Sequence, residues 1–342
     1  MDHPRLSASM HGGRLLEARR LFPSAPEPFI DLSTGINPLP YPVPPIERRA
    51  WTRLPEPENI AALENVAARA YGVPDASMVA ALPGTQVLIS LLPRLFPQTS
   101  VAIVGPTYGE YAQAFAAAGS RVVEASTLAE LESAPCVVIC NPNNPDGRRF
   151  DPSTLLSLRR DREARGLFMV DESFADLEDE GLTLAPHLPQ PGLLVLRSVS
   201  KSYGLAGLRL GFALANPDLG HLIRAALGPW PVSGSAIEIG IKALADQAWL
   251  AAAKQRLFHD VARLDGILRK AGLTIIGGTL LFRLVESTEA RDLFHRLGEA
   301  GILVRSFDYH SDRLRLGLPG SEDAWRRLAA ALSITPASNR SY

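Results

Sequence analysis

The strongest constraint on this chain is a regular alternation of short, largely apolar runs with longer amphipathic stretches between residues 86 and 213. The short runs have the length of buried strands, and the stretches between several of them have helical spacing. The predicted strands are 101–104, 121–124, 136–140, 167–170, 193–196 and 210–213, and the predicted helices are 86–95, 108–118 and 152–163. Strand–helix alternation of this kind predicts a mostly parallel sheet covered by helices.

The chain before this region is rich in proline. Residues 21–57 contain ten prolines, which predicts an extended arm rather than a helix. A helix is expected at 58–71, where apolar residues recur at helical spacing before Gly72.

After residue 235 the pattern changes to a smaller mixture of helices and strands. Helices are predicted at 236–271, at 288–299 and after the N-cap Ser321, and strands at 273–285, 302–306 and 313–318. This order predicts a small α+β domain. We therefore expect an N-terminal arm at 1–45, a large domain at 46–235 and a small domain at 236–342 that part of the arm joins.

Composition narrows the possible partners. The 342 residues carry 35 Lys+Arg and 36 Asp+Glu, for a net charge of −1, so the basic excess of a nucleic-acid or membrane-surface binder is missing. No apolar run reaches the roughly 18 residues of a membrane span, and residues 1–20 lack the apolar core of a signal peptide, so we expect a cytoplasmic protein. Cys136 and Cys140 are expected to be buried free thiols, and the seven histidines show no metal-ligand spacing, so no metal is expected.

One lysine stands out in a chain that uses arginine for most of its positive charge. Only four lysines occur, and Lys201 follows a predicted buried strand in Ser198-Val-Ser200-Lys201. A lysine whose pKa falls on desolvation can serve as a Schiff-base amine, and the two hydroxyls with Arg209 are suitable ligands for a phosphate. For this short motif alone, a surface lysine in a strand-to-loop turn is the commoner outcome.

Three further segments carry polar residues at predicted strand ends or at a helix start. An Asn-Pro-rich loop at 141–147 and the pair Asp171-Glu172 each follow a buried strand, the place where ligands bind in open α/β sheets. Gly84-Thr85-Gln86 opens a helix, whose N-terminal N–H groups can bind a phosphate. Taken singly, each segment could equally be a turn, an N-cap or a solvated loop.

Taken together and in this order, these segments resemble the fold-type I enzymes that depend on pyridoxal phosphate (PLP), in the class I and II aminotransferase superfamily, over about residues 30–330. The resemblance implies an α/β fold whose large domain has a mostly parallel seven-stranded sheet, a small C-terminal α+β domain, and a homodimer. It also implies PLP as cofactor. By motif, Lys201 would bind it covalently, Asp171 would keep its ring nitrogen protonated, and Tyr108 would stack on its ring.

These three residues are the implied catalytic set, and the resemblance extends to further cofactor ligands. Asn144 matches the ligand of the ring 3-oxygen. The residues that match the cup around the cofactor phosphate are Gly84, Thr85, Gln86, Ser198, Ser200 and Arg209.

Two subgroups of the superfamily fit best, the histidinol-phosphate aminotransferases and the L-threonine-O-3-phosphate decarboxylases of cobalamin biosynthesis. His11-Gly12-Gly13, the segment 31–38 and Phe174 are similar to the decarboxylases. This likeness implies conversion of L-threonine O-3-phosphate to (R)-1-amino-2-propanol O-2-phosphate. Transamination of the histidinol-phosphate type is the alternative function. A third hypothesis is a non-catalytic binding protein, which is disfavoured because the motif residues are intact at Lys201, Asp171, Asn144 and Arg209.

The resemblance also indicates where a phosphorylated amino-acid substrate would bind. Arg315 matches the arginine that binds the substrate α-carboxylate with its planar fork. The candidates for the substrate phosphate are His11, Gly12, Gly13, Asn37, Arg305 and Arg315. Leu54 stands where many relatives have a tyrosine that reaches the neighbouring subunit's cofactor, so that hydrogen bond is not expected here.

Overall fold

The computed structural model of the chain describes residues 12–97, 99–131, 134–160 and 166–333. Numbered in chain order, its strands are β1 (Ile30–Asp31), β2 (Val79–Leu82), β3 (Ser100–Val104), β4 (Arg121–Ala125), β5 (Cys136–Cys140), β6 (Phe168–Asp171), β7 (Leu193–Ser198), β8 (Gly211–Ala215), β9 (Thr274–Thr279), β10 (Phe282–Glu286), β11 (Ile302–Leu303), β12 (Arg305–Phe307) and β13 (His310–Gly317).

The helices are numbered in the same way. They are α1 (Leu15–Leu21), α2 (Arg48–Thr52), α3 (Pro57–Tyr71), α4 (Thr85–Leu95), α5 (Glu110–Ala117), α6 (Pro152–Arg160), α7 (Val199–Ser202), α8 (Pro217–Leu227), α9 (Gly234–Ala245), α10 (Gln247–Lys270), α11 (Ala290–Glu299) and α12 (Glu322–Ser333). None of the helices within the described ranges combines the length and the apolar character that crossing a membrane requires.

The chain forms two compact units. The large unit is Pro40–Ala253, and the small unit combines the chain up to Leu39 with the chain from Lys254 onward. The domain boundaries predicted from the sequence, after residues 45 and 235, differ from these limits. Helix α9 falls in the large unit because its apolar face, which includes Ala236, Ile239 and Ala243, is buried in that unit's core.

A seven-stranded sheet forms the centre of the large unit, in the order β2-β8-β7-β6-β5-β3-β4. Only β8 runs antiparallel to its neighbours β2 and β7, so the mostly parallel seven-stranded sheet expected from the sequence is confirmed. Side chains alternate between two apolar layers along each central strand. In β5, Val137 and Ile139 join the core that includes α3 and α9, whereas Cys136, Val138 and Cys140 join the core that includes α4, α5 and α8.

The register of the parallel strands brings three loops to one edge of this sheet. Cys140 at the end of β5 pairs with Asp171 at the end of β6, and Asp171 pairs with Leu196 of β7. Since parallel strands end at the same edge, the loops that follow β5, β6 and β7 lie side by side. Both cysteines are buried and free, as the sequence predicted.

The small unit has a four-stranded antiparallel sheet in the order β12-β13-β10-β9 and a separate parallel pair of β1 with β11. The single strand predicted at 273–285 is a hairpin, β9 and β10, which turns between Thr279 and Phe282. Ser321 is an N-cap as predicted, because its Oγ accepts a hydrogen bond of 3.2 Å from the N–H of Ala324.

Two helical predictions need correction. The region predicted as one helix from 236 to 271 is α9 and α10, which are separated at Asp246. The prediction of a helix-free arm over 21–57 is wrong at α2, because the proline-free stretch between Pro45 and Pro55 is long enough for a short helix.

Candidate active site

A cavity of about 170 Å³ lies in the large unit at the edge where β5, β6 and β7 end. Its lining consists of Thr85, Gln86, Tyr108, Cys140, Pro142, Asn144, Asp171, Ser173, Phe174, Ser198, Ser200, Lys201, Ala206 and Arg209. Nine of the ten residues that the sequence resemblance assigned to the cofactor are in this lining. The tenth, Gly84, is the N-cap of α4, directly before Thr85.

Asp171 is a buried carboxylate whose two oxygens both have hydrogen-bond donors. Its Oδ2 accepts a bond of 2.5 Å from the hydroxyl of Tyr111, and its Oδ1 accepts a bond of 2.9 Å from the backbone N–H of Ser173. These donors offset the cost of removing a carboxylate from water and fix the plane of the carboxyl group. Tyr111 had no role in the sequence prediction, although it lies only one helical turn after Tyr108.

Lys201 lies in α7, the short helix that follows β7, and it lines the cavity. Its Nζ is 5.8 Å from the centre of the Phe174 ring. Phe174 follows β6, so the lysine and the aromatic ring come from the ends of two adjacent strands. The structure thereby brings the amine of Lys201 into the same cavity as the carboxylate of Asp171.

Tyr108 is held by a short chain of hydrogen bonds. Its hydroxyl donates to Oε1 of Gln86 at 3.0 Å, and Nε2 of Gln86 donates to Glu110 at 2.9 Å. Burial raises the pKa of Tyr108 to about 12, and the negative charges of Glu110 and Asp171 add to the rise. The phenol is therefore neutral at physiological pH, and its ring orientation is fixed at the cavity wall.

One side of the cavity is a cluster of anion-binding groups. Ser198 is the N-cap of α7 and accepts a hydrogen bond of 3.2 Å from the N–H of Ser200, while α4 begins at Thr85. Arg209 has φ +53°, the only non-glycine residue with positive φ in the part of the chain that the structure describes. This strained backbone brings the guanidinium against Gly84, where a Cβ atom would be 2.5 Å from Nη2. Two hydroxyls, a guanidinium and a helix N-terminus suit a phosphate dianion.

The Asn-Pro loop is fixed by its other two asparagines, and Asn144 lines the cavity. Asn141 exchanges hydrogen bonds with the backbone of Phe150 at 3.0 and 2.9 Å. Asn143 is buried, and its Nδ2 donates to the carbonyl of Pro106 at 3.0 Å and to Asp146 at 2.8 Å. Asp146, which also accepts a hydrogen bond of 2.9 Å from the backbone N–H of Arg148, therefore has a structural role in the loop.

A buried ion network supports the ends of β6 and β7. The Arg197 guanidinium donates to Glu172 at 2.9 Å and also to Asp176. Burial opposes the charge on Arg197, but the carboxylates of Asp176 and Glu172 outweigh it and raise the Arg197 pKa. Burial also raises the pKa of Glu172, against the opposing charge of Arg197. Because Glu172 follows Asp171 and Arg197 precedes Ser198, this pair ties together two strands whose ends form the cavity.

Sequence reasoning gave Glu172 and Arg197 no role. The available signal was their position, since each charged residue lies within two residues of the end of a strand predicted to be buried. Their pairing depends on the neighbouring positions of β6 and β7 in the sheet, which the sequence pattern does not specify.

The proposed substrate residues lie in the small unit, except His11, which is outside the described residues. Arg315 on β13 is buried, and its Nη2 donates to the carbonyl of Ser33 at 2.8 Å. Arg305 on β12 is directly opposite Arg315 in the strand register. Burial lowers the pKa of Arg315 to about 10, and the positive charge of Arg305 contributes.

The glycine pair and Asn37 also belong to the small unit. The N–H of Gly13 donates to Ser33 Oγ at 2.8 Å, and a Cβ atom on Gly12 would be 2.5 Å from the Ser33 carbonyl oxygen, so the backbone passes Ser33 closely. Asn37 is buried, and its Oδ1 accepts a hydrogen bond of 3.0 Å from Arg256, a cation that the sequence prediction omitted. Among the residues that the structure describes, no group of three or more His, Cys, Asp and Glu side chains could hold a metal ion.

Comparison with known proteins identifies related sequences over nearly the whole chain. Residues 30–332 match the family described as aminotransferase class I and II. The chain is 44% identical over 330 residues to a threonine-phosphate decarboxylase of a Sinorhizobium species, and the alignment covers 95% of this chain and 97% of that protein. It is 40% identical over 326 residues to the threonine-phosphate decarboxylase of Pseudomonas aeruginosa, covering 94% of this chain and 96% of that protein.

The fold is also similar to that of solved structures. The histidinol-phosphate aminotransferase of Sinorhizobium meliloti in complex with pyridoxal-5'-phosphate superposes with a TM-score of 0.79 at 21% sequence identity. The superposition covers 96% of this chain and 98% of that chain.

Proposed function

This chain belongs to the aminotransferase class I and II family, and we propose that it is a PLP-dependent lyase that decarboxylates L-threonine O-3-phosphate. The product is (R)-1-amino-2-propanol O-2-phosphate, and the reaction belongs to cobalamin biosynthesis. The observation that carries this assignment is the identity of 44% and 40% with two threonine-phosphate decarboxylases, each over at least 94% of this chain.

The cavity of the large unit fits PLP in its chemistry. PLP carries an aldehyde, a basic ring nitrogen and a phosphate, and the cavity offers an amine, a buried carboxylate and an anion-binding cluster. The close approach of Arg209 to Gly84 favours this fit, because the cluster is built around a space that a side chain at residue 84 would fill. When bound, PLP supplies an electron sink for the pair released at the substrate Cα.

We propose the following roles for the residues of the cavity. Lys201 holds the cofactor through Nζ, Asp171 pairs with the protonated ring nitrogen, and Tyr108 lies against the ring face. Asn144 donates to the ring 3-oxygen. The phosphate is bound by Gly84, Thr85, Gln86, Ser198, Ser200 and Arg209.

When PLP is bound and supplies its electron sink, the outcome of the reaction would depend on which substituent of Cα these residues align for cleavage. In the proposed decarboxylation this substituent is the carboxylate, and CO₂ is the leaving group. A proton must then reach Cα, and we assign its delivery to Nζ of Lys201, the lysine amine in the cavity lining.

We propose that the small-unit arginines bind the two anions of the substrate. Arg315 and Arg305 are opposite each other on adjacent strands, so both side chains belong to the same part of the small-unit sheet. Guanidinium groups form charge-assisted hydrogen bonds with carboxylates and phosphates, the two anions of the proposed substrate. We assign the α-carboxylate to Arg315 and the phosphate to Arg305 with Asn37 and the His11-Gly12-Gly13 segment.

We also propose a cytoplasmic homodimer. Trp51 and Leu54, three residues apart near the start of the large unit's chain, are 66% and 63% exposed, and large apolar side chains at that exposure favour a protein interface. Two free buried thiols are compatible with a reducing compartment. Light scattering of the purified protein tests the dimer. A measured mass near that of one chain would rule it out.

The assay that tests the proposed function uses L-threonine O-3-phosphate with PLP and no 2-oxoglutarate. Release of CO₂ together with aminopropanol phosphate supports decarboxylation. The competing transaminase function predicts glutamate formation from histidinol phosphate that requires 2-oxoglutarate, and that result without CO₂ release would refute the decarboxylase assignment.

A further inference from the structure

Tyr111 is a fully buried tyrosine in the first turn of α5 that is not itself in the cavity lining but contacts two residues that are, Asp171 and Tyr108. Its hydroxyl is 2.5 Å from Oδ2 of Asp171, a separation typical of a hydrogen bond from a hydroxyl to an ionised carboxylate. The ring lies edge-on to Tyr108 with centres 6.1 Å apart. One turn of α5 and the loop before it therefore provide both an aromatic face at the cavity wall and a donor to the carboxylate.

The direction of this hydrogen bond follows from the surroundings. Burial raises the pKa of Tyr111 well above its usual value, and the charge of Asp171 raises it further, so the phenol keeps its proton and is the donor. The other titratable groups around Asp171 are Cys140, whose pKa burial raises, and Tyr108, so both are neutral at physiological pH. The basic side chains that share the cavity lining are Lys201 and Arg209.

Given the proposed PLP dependence, on which this inference rests, we propose that Tyr111 is a positioning residue that acts through Asp171 to keep the shared proton on the cofactor ring nitrogen. The proton between a carboxylate and a ring nitrogen can reside on either partner. A donor to the carboxylate stabilises its ionised form and makes it a poorer proton acceptor. Tyr111 thus favours the arrangement with an ionised Asp171 and a protonated ring nitrogen, in which the ring is the better electron sink.

The backbone contact at the other carboxylate oxygen does not replace this effect. Ser173 donates its N–H to Oδ1, and this bond remains when the side chain of residue 111 changes. A hydrogen bond to an ionised group is about twice as strong as one to a neutral group. This difference corresponds to about a tenfold change in the ratio between the form with the proton on the ring nitrogen and the form with the proton on the carboxylate. Removal of the Tyr111 hydroxyl should shift that ratio by about this factor toward the protonated carboxyl.

The test is the nitrogen-15 chemical shift of the cofactor ring nitrogen, measured in the full-length protein loaded with labelled PLP. Tyr111→Phe removes only the hydroxyl. Tyr71→Phe is the matched control, because Tyr71 is also buried in the large unit and its hydroxyl has no hydrogen-bond partner among the described residues. Asp171→Asn provides the reference shift of a ring nitrogen without a carboxylate partner.

The expected result is a shift in Tyr111→Phe that moves from the wild-type value toward the Asp171→Asn value, while Tyr71→Phe keeps the wild-type value. A wild-type shift in folded, PLP-loaded Tyr111→Phe overturns the role of Tyr111 and leaves the proposed function intact. Failure of the wild-type protein to bind PLP overturns both.

A second variant covers the case in which Tyr111→Phe does not fold. Fluorotyrosine incorporated at position 111 keeps the shape of the side chain and makes the hydroxyl more acidic, so it donates a stronger hydrogen bond. The ring-nitrogen shift should then move away from the Asp171→Asn value. No movement in this variant contradicts the proposal.

Discussion

The Nη2 atom of Arg209 lies 2.5 Å from the position that a Cβ atom on Gly84 would occupy. Gly84 has φ +82°, and Arg209 itself has φ +53°, so the backbone at both residues is in the left-handed region. The two residues are distant in sequence but meet where the proposed phosphate site is built. A side chain at residue 84 cannot be accommodated unless the guanidinium moves.

We expect Gly84→Ala to weaken PLP binding by at least about tenfold, because the methyl group displaces the Arg209 guanidinium from its place beside the start of α4. Equilibrium titration with PLP measures the effect. Gly119→Ala is the control, since Gly119 also has positive φ, at +85°, but a Cβ atom there meets nothing within 4 Å. It should lose about 1 kcal/mol of stability and keep wild-type PLP affinity. Equal loss of affinity in both variants would show that backbone strain alone is responsible.

Replacement of Lys201 by alanine should remove the cofactor absorbance near the visible edge and reduce CO₂ release by about a thousandfold or more. The reason is that the variant lacks the amine that we assign to covalent binding and to proton delivery. Lys270→Ala, at the exposed end of α10, is the control and should behave as wild type. Retained absorbance in Lys201→Ala would remove Lys201 from its proposed role.

Arg197→Met should destabilise the protein by about 3–5 kcal/mol, because the change leaves the buried carboxylates of Glu172 and Asp176 without their cation. Chemical denaturation of the PLP-free protein measures the loss. Arg149→Met, which breaks a partly exposed ion pair with Glu178, should cost no more than about 1 kcal/mol. Similar losses in the two variants would argue that the buried network has no special contribution to stability.

Arg315→Gln should raise KM for threonine phosphate by about tenfold or more, since it removes the proposed carboxylate-binding fork. Stability should change little, because relief of the buried positive charge, whose desolvation lowers the Arg315 pKa to about 10, offsets the loss of the hydrogen bond to the Ser33 carbonyl. Thermal unfolding and steady-state kinetics together test this prediction. Arg313→Gln on the same strand, which loses only a partly exposed pair with Glu286, should leave KM unchanged.

The lowered pKa of Arg315 also predicts a pH dependence. Without bound anion the guanidinium loses its proton as the pH rises through about 10, so substrate affinity should decrease above that value. The folded state then binds fewer protons at Arg315 than the unfolded state, so this group's contribution to stability increases as the pH rises from about 10 toward 12.5. A KM that stays flat through this range in the wild-type protein would show that the Arg315 guanidinium keeps its proton and would contradict this pH prediction.

The sheet and the location of the cavity could be predicted from local patterns. Runs such as 136–140 and 167–170 are too apolar to be exposed, and helices between them require parallel strands. Parallel strands end at one edge, so the polar residues after them, among them Asn144, Asp171 and Lys201, were expected together. The resemblance of the motifs then supplied the chemistry, which periodicity alone does not contain.

The partners that complete the site depended on the tertiary structure. Tyr111 and Asp171 are 60 residues apart, and the contact between them requires α5 to pack on the end of β6. Arg305 lies opposite Arg315 only because of the β12–β13 register, and Arg197 meets Glu172 only because β6 and β7 are adjacent. The sequence alone therefore determined which residue types follow each strand, since burial and periodicity are local properties. Their hydrogen-bond and charge partners were decided by the tertiary structure, since these depend on distances between segments that are remote along the chain.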